Sequence, residues 1–122
     1  LIDLPATVTS LQDGEFSADV SPRGKSGPHA AFGSRQGINN YTDWFAGDHD
    51  MCGDYYGYDG PCPPWNDEII HRYVFTVYAL DIDKLPVEGR FGGPEVRSAI
   101  QGHILGEASL TGTYTLNAKL LA

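Results

Sequence analysis

The chain has 122 residues, 41% hydrophobic and 20% charged, which fits one folded domain with a modest core and excludes a disordered or membrane-embedded polypeptide. Sixteen acids against eight bases give a formal charge of −8. A nucleic-acid backbone or an anionic membrane surface is therefore repelled overall, and any anionic ligand must be held by a local site.

In chain order, Leu1-Ile2-Asp3-Leu4-Pro5 reads as the end of a strand running into a turn, so the chain is expected to begin inside a domain. No apolar stretch approaches the ~20 residues that cross a bilayer. From Ala6 to Gly27 the sequence is polar and broken by Gly14, Pro22, Gly24 and Gly27, a connecting segment with at most one short helical turn. Ala30 to Ser34 is expected as a short strand, and irregular structure then continues to about Ile70. That long loop carries Tyr41, Trp44, Phe45, Tyr55, Tyr56, Tyr58 and Trp65. Such rings either pin an irregular loop or wall a ligand pocket, and the two roles are compatible.

Cys52 and Cys62 lie in the same loop, ten positions apart. Two thiols without a CxxC partner do not make a zinc site. Their separation predicts a disulfide closing a short loop, and with it a periplasmic or secreted protein; free thiols point instead to the cytoplasm.

His71 to Leu80 is dense in β-branched and aromatic residues and is expected as a central strand buried on both faces. A loop from Asp81 to Gly92 leads to a short helix, marked by Gly93, Pro94 and Glu95 at its start and Gly102 at its stop. Beyond it, Ala108, Leu110, Gly112, Tyr114 and Leu116 alternate with Glu107, Ser109, Thr111, Thr113 and Thr115. That period of two predicts a strand with Leu110 and Tyr114 toward the core. The expected fold class is mainly β, an antiparallel β-sandwich with a few short peripheral helices, in a single domain over residues 1–122.

The stretch with most chemistry is Gly57-Tyr58-Asp59-Gly60-Pro61-Cys62-Pro63-Pro64, followed by His71-Arg72-Tyr73 at the start of the predicted strand. The prolines fix φ and donate no hydrogen bond, so the remaining amides of Gly60 and Cys62 are held in place, and oriented amides cradle anions. His71 adds a donor whose charge depends on protonation.

These runs, together with Ala-Ile-x-Gly-His-x-Leu-x-x-Ala-x-Leu-x-Gly-x-Tyr from Ala99 to Tyr114, resemble the phosphatidylethanolamine-binding protein family. The likeness is to its bacterial Raf-kinase-inhibitor-like branch and, within that, the periplasmic YbcL type. The resemblance runs from Leu1 to Tyr114. It implies a large antiparallel sheet, a smaller second sheet, and a pocket that accepts phosphate, acetate or a phosphoryl head group. It places Tyr58, Gly60, Pro61, Cys62, Pro63, Pro64, His71 and Tyr73 in the family's second pocket motif, with Arg72 pointing away. The family's first motif, Asp-Pro-Asp-x-Pro with a downstream histidine, is absent from these 122 residues. The resemblance therefore implies that the chain is the C-terminal two-thirds of the domain and that an N-terminal fragment of the same domain accompanies it.

The expected function is binding of a small anion or phosphoryl head group by a non-enzymatic modulator or inhibitor of another protein, without a cofactor or metal and without nucleic acid. A protein target and a homodimer are both compatible with this reading. One alternative is a protease or kinase inhibitor acting through the aromatic loop. A second is an enzyme with His71 as general base and Asp59, Asp67 or Glu68 orienting it, although Ser98 and Ser109 lie in no nucleophile elbow. His49 with Asp48, Asp50 and Asp54 is expected to be a solvated acidic loop rather than a metal site.

Overall fold

The computed structural model describes residues 1–17 and 22–121; residues 18–21 of the connecting segment, and residue 122, lie outside the described residues. Strand is the main regular structure. Two long strands, β1 (His71–Leu80) and β2 (Ile104–Tyr114), pair antiparallel. The helices α1 (Tyr41–Trp44) and α2 (Gly93–Ala99) are short, and 3-10 turns occupy Ala31–Gly33 and Ala118–Leu120. Among the described residues the sheet is this two-stranded ribbon, and the remaining β structure consists of isolated bridges. The antiparallel pairing is as expected; the second layer of a sandwich is not formed by these residues.

The chain divides into two compact units, Leu1–Asp59 with Ile82–His103 and Gly60–Asp81 with Ile104–Ala122. In the first unit the core is small: Ile2, Tyr55, Leu85, Val87, Phe91 and Ile100 are its buried apolar residues. So little apolar burial leaves specific polar contacts to organise an irregular chain. Ile2 and Arg35 exchange both backbone hydrogen bonds, at 2.8 and 3.0 Å, and this bridge is all that forms of the strand expected near Leu1. Beside it the buried Asp3 carboxylate accepts from Arg35 Nε at 2.6 Å and from the Leu85 amide at 2.8 Å. Arg35 donates onward to the carbonyls of Leu85 and Val87, and its guanidinium lies 5.6 Å from the centre of the Phe91 ring. Segments more than thirty positions apart are thus joined through one planar cation, whose fork of donors suits several acceptors at once.

Two local expectations are corrected here. Ala30 to Ser34 is not a strand, because the Ser34 amide and hydroxyl both bond back to the Ala31 carbonyl, closing a turn in which Phe32 has φ 62. The loop after Asn40 is not wholly irregular, because Asn39 Oδ1 accepts from the Tyr41 amide and starts α1. Tyr41 and Phe45 then stack one turn apart, at 5.4 Å, and Tyr55 packs against both. The Tyr55 amide donates to the buried Thr42 hydroxyl, and its own hydroxyl to the Met51 carbonyl. These three rings pin the loop, whereas Trp44 is 79% exposed.

The helix α2 forms where expected. The Glu95 carboxylate accepts from the Gly92 amide at 3.0 Å, and its own and the Gly92 amides hold its carboxyl below the usual range.

Gly24 is a tight point of this unit. It sits at φ +104, and an added Cβ would lie 2.7 Å from the Asp54 carbonyl oxygen, next to the Lys25–Asp54 backbone hydrogen bond. Backbone cannot retreat as a side-chain tip can. Gly24→Ala is expected to destabilise the protein by about 2–4 kcal/mol, from strain and overlap together. Urea denaturation checks this, and a loss under about 0.5 kcal/mol contradicts the assigned backbone conformation.

In the second unit the register pairs His71 with Tyr114, Tyr73 with Gly112, Phe75 with Leu110 and Val77 with Ala108. Alternation puts these residues on one face and Arg72, Val74, Thr76 and Tyr78 on the other, opposite Thr113, Thr111, Ser109 and Glu107. Thr76 and Ser109 share a hydroxyl hydrogen bond at 3.0 Å across that second face. The alternation read in β2 is thus correct in register. The expected burial is not found: Val74, Phe75, Val77, Leu110 and Tyr114 are all exposed, Leu110 at 74%. A two-stranded ribbon has no layer to cover it, so β1 is not buried on both faces as its composition predicts.

Candidate functional site

The proline-rich run and the histidine strand both belong to the second unit. Gly60 has φ +80, Pro63 is buried, and Pro61, Cys62 and Pro64 are exposed. Among the described residues, neither the Gly60 nor the Cys62 amide donates to a backbone carbonyl. The run ends in a turn in which the Asp67 amide donates to the Pro64 carbonyl at 3.2 Å.

That turn delivers Asp67 to His71. The ring Nε2 lies 2.7 Å from Asp67 Oδ2, and the Ile69 amide donates to the other carboxylate oxygen at 3.3 Å. Both side chains are about 30% exposed, open enough to meet a ligand from solvent (32% and 28%). The hydrogen bond from His71 comes first among the causes that hold the Asp67 carboxyl below its usual range, with the Ile69 amide next. A lowered carboxyl stabilises the fold above the ordinary aspartate range, and that contribution is lost as pH falls through the lowered value. From the other end of the unit, Asn117 Nδ2 donates to the Asp67 carbonyl at 2.8 Å, and the Asn117 amide donates to the buried Thr115 hydroxyl at 3.0 Å. The loop and the segment after β2 are tied together at Asp67.

Tyr73 shares the His71 face of β1, two residues along, and Arg72 lies on the opposite face. His71, Tyr73 and the run from Gly60 to Pro64 belong to the same unit. Asp67 emerges as the partner of His71 from three sequence candidates. Its i, i+4 spacing from His71 was the available signal, although the segment between them is not a helix.

Tyr58 belongs to the first unit. Its carbonyl accepts from Lys25 Nζ at 2.6 Å, and Lys25 also pairs with Asp59 at 3.6 Å. Asn39 Nδ2 donates to the Gly57 carbonyl at 2.9 Å and to the Asp59 carboxylate. Gly57 sits at φ +88, a conformation L side chains rarely adopt, and a Cβ there would also meet the tip of the buried Gln36 side chain. Asp59 is engaged by Lys25 and Asn39. Sequence reasoning gave no sign of Lys25 or Asn39.

The expected Cys52–Cys62 disulfide is not formed; both thiols are free and exposed. The Cys52 amide is fixed in a turn to the Asp48 carbonyl, and Cys62 is locked between Pro61 and Pro63. In the acidic loop, Asp48 Oδ1 caps the amides of Asp50 and Met51, and Asp54 pairs with Arg90 at 3.0 Å. Among the described residues no three ligating side chains gather as a metal site, and no helix is long and apolar enough to cross a membrane.

The sequence profile of the phosphatidylethanolamine-binding protein family matches residues 1–115. The chain belongs to that family. Family relatives agree. The chain is 28% identical over 116 residues to the UPF0098 protein YbcL of Escherichia coli, covering 95% of this chain and 52% of YbcL. It is 48% identical over 58 residues to a UPF0098 protein of Methanothermobacter thermautotrophicus and 41% identical over 59 residues to YbhB of Escherichia coli. Each of those two matches covers 48% of this chain and 36% of the relative. The chain thus spans between about a third and a half of the length of these phosphatidylethanolamine-binding protein relatives. No solved structure matches it significantly.

Proposed function

We propose that this chain carries part of a pocket for a small anion or phosphoryl head group, in a protein that modulates or inhibits another protein without catalysing a reaction. The observation that carries the reading is the His71 imidazole, held at the start of β1 by Asp67 and preceded by a proline-locked run whose Gly60 and Cys62 amides bond to no backbone carbonyl among the described residues. In a chain of net charge −8, such a local set of donors is what an anion requires. Tyr73 forms a wall in this reading. The rest of the domain, supplied by polypeptide outside these 122 residues, covers the exposed ribbon and completes the pocket. With both thiols free, a periplasmic or secreted location rests on the family resemblance alone.

Calorimetry with inorganic phosphate on the natural full-length protein tests this. His71→Ala is expected to weaken binding roughly tenfold or more, because a charge-assisted hydrogen bond is lost. Unchanged affinity removes His71 from the site.

A second reading is favoured by the 2.7 Å contact itself, since a histidine oriented by a carboxylate is how a general base is built. Loss of a turnover activity on His71→Ala would support it. The exposed Trp44 and Trp65 suit a third reading, inhibition of a protease or kinase through the aromatic loop.

A further inference from the structure

We infer that Asp67 is the positioning residue of the His71 site, and that by engaging Nε2 it makes His71 an anion donor only in the imidazolium form. The inference rests on the anion-binding reading above and adds how the site is gated.

An ionised carboxylate accepts hydrogen bonds and donates none, so the 2.7 Å contact requires the proton to sit on Nε2. Asp67 is held below the usual carboxylate range, and it therefore stays ionised in mildly acidic as well as neutral solution. The second ring nitrogen, Nδ1, is the one left for a ligand. In neutral imidazole with Nε2 protonated, Nδ1 is a lone pair and repels an anion; in imidazolium it is a charged donor.

The anchoring of Asp67 fits that role. Its backbone is held at both ends, by the Pro64 carbonyl and by Asn117 Nδ2, and its second oxygen by the Ile69 amide. Only the oxygen on His71 is committed to a side chain. Other titratable groups about the ring are few. The loop adds Glu68 beside Asp67, β1 adds Tyr73 on the same face, and β2 places Tyr114 directly across; Lys119 follows Asn117.

The test uses sulfate, whose charge does not change over the range where histidine titrates, with the natural full-length protein at matched ionic strength. Wild type is expected to bind more tightly near pH ~5.5 than near pH ~7.5. Asp67→Asn frees the neutral ring to carry its proton on Nδ1, so the variant is expected to bind sulfate roughly twofold to fivefold more tightly than wild type near pH ~7.5, and within about twofold of it near pH ~5.5, where the imidazolium form offers a donor in both proteins. Equal weakening at both values makes Asp67 merely structural and overturns the inference, as does a variant indistinguishable from wild type. His71→Ala without effect on sulfate at either value overturns the anion-binding reading itself. Should Asp67→Asn fail to fold, ring nitrogen shifts of wild-type His71 in neutral solution still decide: the Nε2–H tautomer is expected, and the Nδ1–H tautomer overturns the inference.

Discussion

Arg35→Ala is expected to destabilise the protein by about 3–5 kcal/mol, because it strands a buried carboxylate. The Asp3 side chain is 1% exposed, and among the described residues Arg35 is the one cation bonded to it. Among the described residues, removing the guanidinium leaves that carboxylate with the Leu85 amide alone, takes the donor from the Val87 carbonyl, and leaves the Leu85 carbonyl with only the Val87 amide. Each of those losses carries its own desolvation cost. Arg35→Lys keeps the charge but not the fork of donors, and an intermediate loss is expected. Urea unfolding of the natural full-length protein reads both variants. A loss below about 1 kcal/mol for Arg35→Ala would mean that the network is solvated and contributes as little as a surface pair.

Phe91→Ala is expected to cost about 3–5 kcal/mol, the range for emptying a buried aromatic site. Phe91 is 2% exposed, and its ring comes close enough to Gly37 that a Cβ there would meet it at 3.0 Å. Its carbonyl also receives the Ile38 amide at 2.8 Å, a bond the variant keeps. The loss is therefore that of the ring and not of the backbone contact. Since Arg35 stacks over that ring, the two substitutions should not add: the double variant is expected to lose less than the sum of the singles. Strict additivity would show that the stacking contributes nothing. Thermal unfolding at matched buffer composition is a suitable check on the pair.

How much of this was legible in the sequence depended on the range of the interaction concerned. Patterns that act over a few residues were readable: the period of two in β2 gave the face shared by Leu110 and Tyr114, and Gly93-Pro94-Glu95 gave the start of α2. The motif around His71 was readable for the same reason, since prolines and a β-dense run are local statements. Interactions between distant segments were not. Nothing in the residues near Lys25 announces that it will hold the carbonyl of Tyr58, and nothing near Asp3 announces Arg35. The disulfide was inferred from separation along the chain, which says little about where two Cβ atoms lie once flanking prolines fix the backbone. Burial of β1 was inferred from composition, and composition records the environment for which a strand is suited rather than the one these residues supply. Asp67 fell between the two cases: it was one of three acids near His71, and only the turn closed on Pro64 selects it.

The open ribbon has a bearing on how such a chain can be made in a cell. From Tyr73 to Leu80, β1 carries neither a charge nor a proline, the two devices that keep a strand from recruiting others. Each strand of the pair also keeps one edge that no other strand of the described residues occupies. Until those edges are covered, the segment is a template for strand addition by any extended polypeptide nearby, including nascent copies of itself. Synthesis therefore has to keep the interval between emergence of β1 and its enclosure short, or entrust that interval to a holding chaperone.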